Sequence, residues 1–157
     1  RYTALVDYAH SPDAVSNVLA AVREFTPGKI IAVLGCGGDR DASKRPLMGS
    51  ALIEESGIAI FTSDNPRSED PLKIIRDVLQ GVSDGQVESG KVSALTDRGE
   101  AIAYALSNAK PGDMVLIAGK GHEKYQELSN GRVDYSDYLE VEKWQLGKSD
   151  VDGPEET

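Results

Sequence analysis

Lys29–Pro46 reads KIIAVLGCGGDRDASKRP, and its two halves call for different structures. The first is an apolar run, Ile30 to Leu34, rich in β-branched side chains and bounded by Gly28 and Gly35. Such a run predicts a strand buried on both faces of a parallel sheet. The second half holds three glycines, three cations (Arg40, Lys44, Arg45) and two aspartates before Pro46 restarts regular structure. Strand-to-helix connections are usually about two to six residues long. This one runs from Gly35 to Arg45, and a long glycine-rich loop after a buried strand sits where open α/β sheets bind ligands.

Outward from that stretch the pattern repeats. Thr3 to Asp7 predicts a strand, and Ser11-Pro12 a helix start, as N-cap and first helical residue. Val15, Val18, Leu19, Val22 and Phe25 follow at helical spacing, until Pro27-Gly28 ends the helix. Beyond Pro46 a second helix carries Leu47, Met48, Ala51 and Leu52 and ends near Gly57. Ile58 to Thr62 predicts a third strand, and Pro71 opens a third helix with Leu72, Ile75, Val78 and Leu79 inward. Lys91 to Leu95 is a weaker strand. Asp97 and Glu100 have capping-box spacing for a helix over Arg98 to Asn108. Met114 to Ala118 predicts another buried strand, Asn130-Gly131 a hairpin turn, and Asp137 to Leu146 a last helix. Strands alternating with helices imply an α/β fold: a doubly wound, mostly parallel Rossmann-like sheet with helices on both faces and one antiparallel edge strand from the hairpin.

Composition bounds the function. The 157 residues make one domain by length, 1–146, followed by a polar stretch, 147–157, that reads as a disordered acidic tail. A net charge of −9 argues against nucleic acid, and no apolar run approaches membrane-spanning length. The lone Cys36 excludes an internal disulfide and fits a reducing, cytoplasmic setting. The chain starts at Arg1 with no signal peptide, which reads as a piece of something longer.

The segments that follow strands are DYAHSP, GCGGDRDASKRP, SDNPRSED, TDR and AGKGHEKY, and they converge on one rim in this architecture. Their mixture of cations, carboxylates and amide suits a zwitterionic ligand. A guanidinium pairs with a carboxylate through two parallel hydrogen bonds, while carboxylate and amide oxygens accept from an ammonium. Two phosphate-binding motifs are rejected. Gly35-Cys36-Gly37 lacks the third glycine of the dinucleotide fingerprint, and Gly119-Lys120-Gly121-His122 lacks the spacing and hydroxyl residue of a P-loop. Cys36 reads as a small residue in a tight turn, His122 as loop structure, Lys44 and Arg45 as solvated loop charges. Tyr125, Tyr135, Tyr138 and Trp144 read as core or rim packing and not as stacking platforms.

VDYAHSPDA, GCGGDRDASKRPLMG, DNPR and AGKGHEKYQ resemble, in that order, the C-terminal domain of the Mur ligases over Tyr2 to Leu146. The likeness is strongest to the branch that adds the third amino acid to a UDP-MurNAc-dipeptide in peptidoglycan synthesis. In that family DNPR marks enzymes that add meso-diaminopimelate, and lysine-adding relatives lack its arginine. The resemblance implies an ATP-dependent amide-bond ligase working through an acyl phosphate. ATP, Mg2+ and the UDP-MurNAc-dipeptide would be held mainly by N-terminal and central domains that this sequence lacks, so the chain alone is expected to be inactive. It also implies a site: Arg40, Asp64, Asn65, Pro66, Arg67, Gly119 and Glu123 for diaminopimelate, Asp7 and His10 on the nucleotide side, no catalytic residue and no metal ligand. The competing readings are a related lysine-adding or folate polyglutamate ligase, and a non-catalytic doubly wound module that binds another small anion.

Overall fold

The computed structural model describes residues 1–151. Strands β1 (Thr3–Asp7), β2 (Ile30–Cys36), β3 (Ile58–Ser63), β4 (Val92–Ala94) and β5 (Met114–Ala118) form one parallel sheet in the order β1-β5-β2-β3-β4. The helices are α1 (Pro12–Arg23), α2 (Arg45–Glu55), α3 (Pro71–Leu79), α4 (Asp84–Glu88), α5 (Arg98–Asn108) and α6 (Asp137–Val151).

β2 pairs with β3 on one side and β5 on the other, so it is buried from Ile30 to Gly35. Its alternate side chains feed two cores. Ile30, Ala32 and Leu34 pack with Leu19 of α1, Leu52 of α2 and Val78 of α3. Ile31 and Val33 pack with Ile102 and Leu106 of α5, with Trp144 of α6 against the margin. Helices therefore cover both faces, as the alternating pattern predicts. The chain steps outward through β2, β3 and β4, then returns through α5 to insert β5 between β1 and β2. The connections after β2 and β5 leave toward opposite faces, and this opens a crevice at the carboxyl ends of those neighbouring strands.

Local signals match most boundaries. Ser11, Asp70 and Asp97 cap α1, α3 and α5, each accepting a hydrogen bond from a first-turn N–H. Four details differ from the sequence expectation. Phe25 lies beyond the end of α1, and Leu47 and Leu72 sit on outward faces, so all three are exposed. α4 has a complete Ser83/Gln86 capping box, a signal short enough to pass unnoticed. α6 runs past Leu146 to Val151, and the rest of the expected tail, 152–157, lies outside the described residues. The antiparallel element, β6 (Tyr125–Leu128) with β7 (Gly131–Asp134), forms its own two-stranded sheet and not an edge of the main one. Its backbone is spoken for elsewhere: Glu127 N–H donates to Asn65 Oδ1 and the Glu127 carbonyl accepts from Arg67 N–H.

Candidate functional site

The loops after β1, β2, β3 and β5 meet around a cavity of about 380 Å³ at the carboxyl ends of the strands. Arg67 and Glu123, far apart in sequence, line the same space. So do Arg40, Asp64, Asn65, Gly119 and His10 from the expected site. Pro66 lines a second hollow on the far side of its loop, and Asp7 lines neither.

The loops after β2 and β3 are bonded to each other along their length. Gly38 N–H donates to the Asn65 carbonyl at 2.8 Å, and a Cβ on Gly38 would stand 1.8 Å from the Pro66 oxygen, so any larger residue must displace the neighbouring loop. Asp39 donates its N–H to Glu69 and accepts from the Ser68 hydroxyl, both at 2.6 Å. Arg45 is 2 % exposed, so it is no solvated charge: it forks onto Glu69, reaches Asp77 at 2.9 Å and donates to the Gly37 carbonyl. Its hydrogen bonds with Glu69 hold that carboxyl below its usual range and raise the guanidinium. Lys73 and then Arg45 lower Asp77 in the same way.

Inside this frame stand two charged groups of opposite sign. Lys120, fully buried, donates to Asn65 Oδ1 at 2.8 Å and lies 3.3 Å from Asp64 Oδ1 and 3.4 Å from Glu123 Oε1. One cation faces two carboxylates, so the group keeps a negative excess. Asp64 Oδ2 and Glu123 Oε2 make no hydrogen bond among the described residues. Gly119 (φ +111°) closes this side, since a Cβ there would come within 2.9 Å of Asp64 Oδ2. The second group centres on Arg67. Its backbone is left-handed (φ 53°), a conformation a non-glycine residue adopts at a cost. Arg67 Nε donates to Glu127 Oε2 at 2.8 Å and Nη1 to the Gly38 carbonyl at 2.9 Å. Arg132 takes the other oxygen of Glu127, with its guanidinium 4.1 Å from the Tyr125 ring centre. Two cations share one carboxylate here, so this group keeps a positive excess. Asn65 Oδ1 accepts from both Lys120 Nζ and Glu127 N–H and thereby links the two groups.

The wall beside β1 is looser. Asp7 spends Oδ2 on the Ala9 N–H, and its carbonyl accepts from Gly119 and Gly121. That turn presents Tyr8 and His10, whose rings meet edge-on at 4.8 Å, while His10 Nδ1 lies 2.9 Å from the Tyr8 carbonyl. Ser11 caps the helix that follows, as the sequence predicts. Arg40 is exposed and bonds only the neighbouring Asp39 carbonyl; Lys44, also exposed, lines the cavity with it. His122 is exposed and stands outside the lining. Burial pushes the Cys36 thiol up to about 12, helped by Asp64, which leaves it protonated and a poor nucleophile.

Beneath the rim lies a salt bridge that the sequence reading missed. Arg98 is buried at the start of α5, bonded twice to Asp137 at 2.8 Å and to the Ser63 and Ala118 carbonyls at the ends of β3 and β5. Burial works against its charge, but the Asp137 hydrogen bonds outweigh it and hold the guanidinium above its ordinary pKa. Tyr135 donates to Asp137 at 3.0 Å, and its own pKa is raised, chiefly by burial. In sequence Arg98 is one more polar residue of a helix start; only its partner far along the chain gives it meaning. Tyr138 is exposed and therefore does not pack in the core. Among the described residues no group of three or more His, Cys, Asp or Glu side chains could hold a metal ion, and no helix is long and apolar enough to cross a membrane.

The family model described as "Mur ligase, glutamate ligase domain" matches residues 1–121. The chain is 52% identical over 136 residues to the UDP-N-acetylmuramoyl-L-alanyl-D-glutamate–2,6-diaminopimelate ligase of Geobacillus thermodenitrificans, covering 87% of this chain and 27% of that protein. It thus spans about a quarter of the length of that relative. A solved structure of a UDP-N-acetylmuramoyl-L-alanyl-D-glutamate–2,6-diaminopimelate ligase superposes with a TM-score of 0.87 at 42% identity, covering 94% of this chain and 30% of that one. A bifunctional folylpolyglutamate synthase/dihydrofolate synthase from Yersinia pestis reaches a TM-score of 0.56 at 20% identity, covering 74% of this chain and 25% of that one, and shows the shared fold alone.

Proposed function

The chain belongs to the Mur ligase family, and from that premise we propose that residues 1–146 are the amino-acid-binding domain of an ATP-dependent ligase that adds meso-diaminopimelate to UDP-MurNAc-L-Ala-D-Glu. In the reaction, ATP phosphorylates the D-glutamate side-chain carboxyl, the diaminopimelate amine attacks the acyl phosphate, and phosphate leaves. The observation that carries the substrate is the pair of opposite charged groups on one cavity wall. The far end of diaminopimelate bears one carboxylate and one ammonium. Arg67 pairs with the carboxylate through its unused N–H groups, and the free oxygens of Asp64 and Glu123 accept from the ammonium. Lysine carries that ammonium without the carboxylate and would leave the unused N–H groups of Arg67 unpaired. A site built around a polar group rejects an analogue lacking the complement far better than a pocket rejects a missing methylene.

Arg40 holds the nearer carboxylate. Asp7, with one oxygen outside its turn, and His10 meet the nucleotide. Triphosphate and Mg2+ are held mainly by other domains of a longer ligase, as the family resemblance implies.

The test is catalytic efficiency for meso-diaminopimelate and lysine in the full-length enzyme. Arg67→Ala should lower use of diaminopimelate tenfold or more, at about 1.5–3 kcal/mol for a charged hydrogen bond, and narrow the preference over lysine. Arg67→Lys should recover little, because an ammonium cannot form the forked contact. A variant that keeps the wild-type ratio refutes the assignment.

A further inference from the structure

Arg67 can read a carboxylate only if its guanidinium is aimed, and the side chain that aims it belongs to the β6–β7 hairpin. We propose that Glu127, held by Arg132, is a positioning residue for Arg67, so that the hairpin sets the preference for a dicarboxylic amino acid. The inference rests on the reading of Arg67 given above.

The geometry divides the five N–H donors of Arg67. Nε is taken by Glu127 Oε2 at 2.8 Å and one Nη1–H by the Gly38 carbonyl at 2.9 Å. Nη2 makes no hydrogen bond among the described residues, and Arg67 lines the cavity. The two bonds fix the plane of the guanidinium and leave one end of it for a ligand. The left-handed backbone at Arg67 is fixed by the same hairpin, through its N–H to the Glu127 carbonyl at 3.0 Å. Glu127 thus holds both ends of the residue.

A carboxylate beside a recognition arginine can also compete with the ligand for it. Arg132 removes that difficulty. It donates to Glu127 Oε1 through Nε at 3.1 Å and Nη2 at 2.9 Å, and it rests on the Tyr125 ring. Hydrogen bonding from Arg132 is the foremost cause that holds the Glu127 carboxyl below its usual range, with Arg67 adding to it. One charge divided between two guanidinium groups orients Arg67 without neutralising it.

The experiment uses the full-length enzyme with Glu127→Ala, Glu127→Gln, Arg132→Ala and the Glu127→Ala/Arg132→Ala double variant, alongside Arg67→Ala. Glu127→Ala should raise KM for meso-diaminopimelate about tenfold, the scale of one charged hydrogen bond, with kcat and the KM for ATP near wild type. Its discrimination against lysine should narrow. Glu127→Gln, which keeps an acceptor for Nε, should recover part of the loss. Arg132→Ala should also raise that KM, and adding it to Glu127→Ala should cost little more, since both act through one contact. Unchanged constants in Glu127→Ala beside altered ones in Arg67→Ala would overturn the positioning role while leaving the reading of Arg67 intact. A lowered melting temperature with a raised KM for ATP would make the hairpin a mere support of the fold, and would overturn it too. An unchanged amino-acid ratio in Arg67→Ala removes both.

Discussion

On the wall made by the loops after β2 and β3, Asn65 and Arg67 each bond at least two neighbours and Asp64 is tied to buried Lys120. On the wall beside β1, Tyr8 and His10 meet edge-on and His10 Nδ1 lies against the Tyr8 carbonyl, and Arg40, though carried by the loop after β2, is as loosely held, bonding only the carbonyl beside it. The first wall is held by its own hydrogen bonds, which is the preorganisation a selective site calls for. The second has fewer such bonds and keeps side-chain freedom. Residues of both walls line the cavity, so the difference in bonding does not follow from closeness to it.

The largest effect that would break this contrast lies under the tight wall. Arg98→Ala should cost about 3–5 kcal/mol, because it strands the buried Asp137 carboxylate and frees the ends of β3 and β5. Urea unfolding of the chain measures it. A loss under about 1 kcal/mol would mean that the rim is held elsewhere.

Gly38→Ala comes next, at about 1–3 kcal/mol, since its methyl group must displace the Pro66 carbonyl. In the full-length enzyme it should impair diaminopimelate and spare ATP. Equal damage to both would show that the walls are not independent.

Acid should loosen the tight wall by a smaller step. Glu69 and Asp77 have folded pKa values lowered by their cationic partners, so their contribution is complete above the ordinary carboxylate range of about 4. It is lost as pH falls through the lowered values. Melting temperature should therefore fall as the pH drops below about 5, and Arg45→Met should flatten that limb. A slope unchanged in Arg45→Met would assign the acid sensitivity elsewhere.

Arg40→Ala should be the mildest on stability, within about 0.5 kcal/mol, as expected for an exposed side chain. It should nonetheless weaken diaminopimelate use in the full-length enzyme. A clear loss of stability would make Arg40 part of the bonded frame of its loop and not a loose side chain on it.

What was legible in the sequence follows from the range of each interaction. Strand and helix identities are local: the buried run at Ile30 to Leu34, Pro12 behind Ser11, and the Asp97 cap mark themselves within a few residues. The gathering of Arg40, Asp64, Arg67 and Glu123 was legible because parallel strands carry their following loops to one rim. The pairings were not. Arg45 looks like a loop charge until Glu69 and Asp77 fold over it, and Glu127 looks like any strand residue until it meets Arg67. Asp7 and Pro66 carry the right motifs but turn other atoms to the turn and the neighbouring loop. Partners so distant along the chain leave no periodicity to read.

Asn65, the link between the two charged groups, is followed by Pro66. Spontaneous deamidation requires the next backbone N–H to attack the side-chain amide, and proline has none. The amide oxygen that serves Lys120 and Glu127 is therefore chemically durable. Asn130 has the opposite setting: it is exposed at the β6–β7 turn and is followed by Gly131, which has an N–H and no side chain to crowd the attack. Deamidation at Asn130 would add negative charge at the tip of the hairpin, on the element that carries Arg132, while the Asn65-Pro66 sequence denies that route to the residue linking the two charged groups.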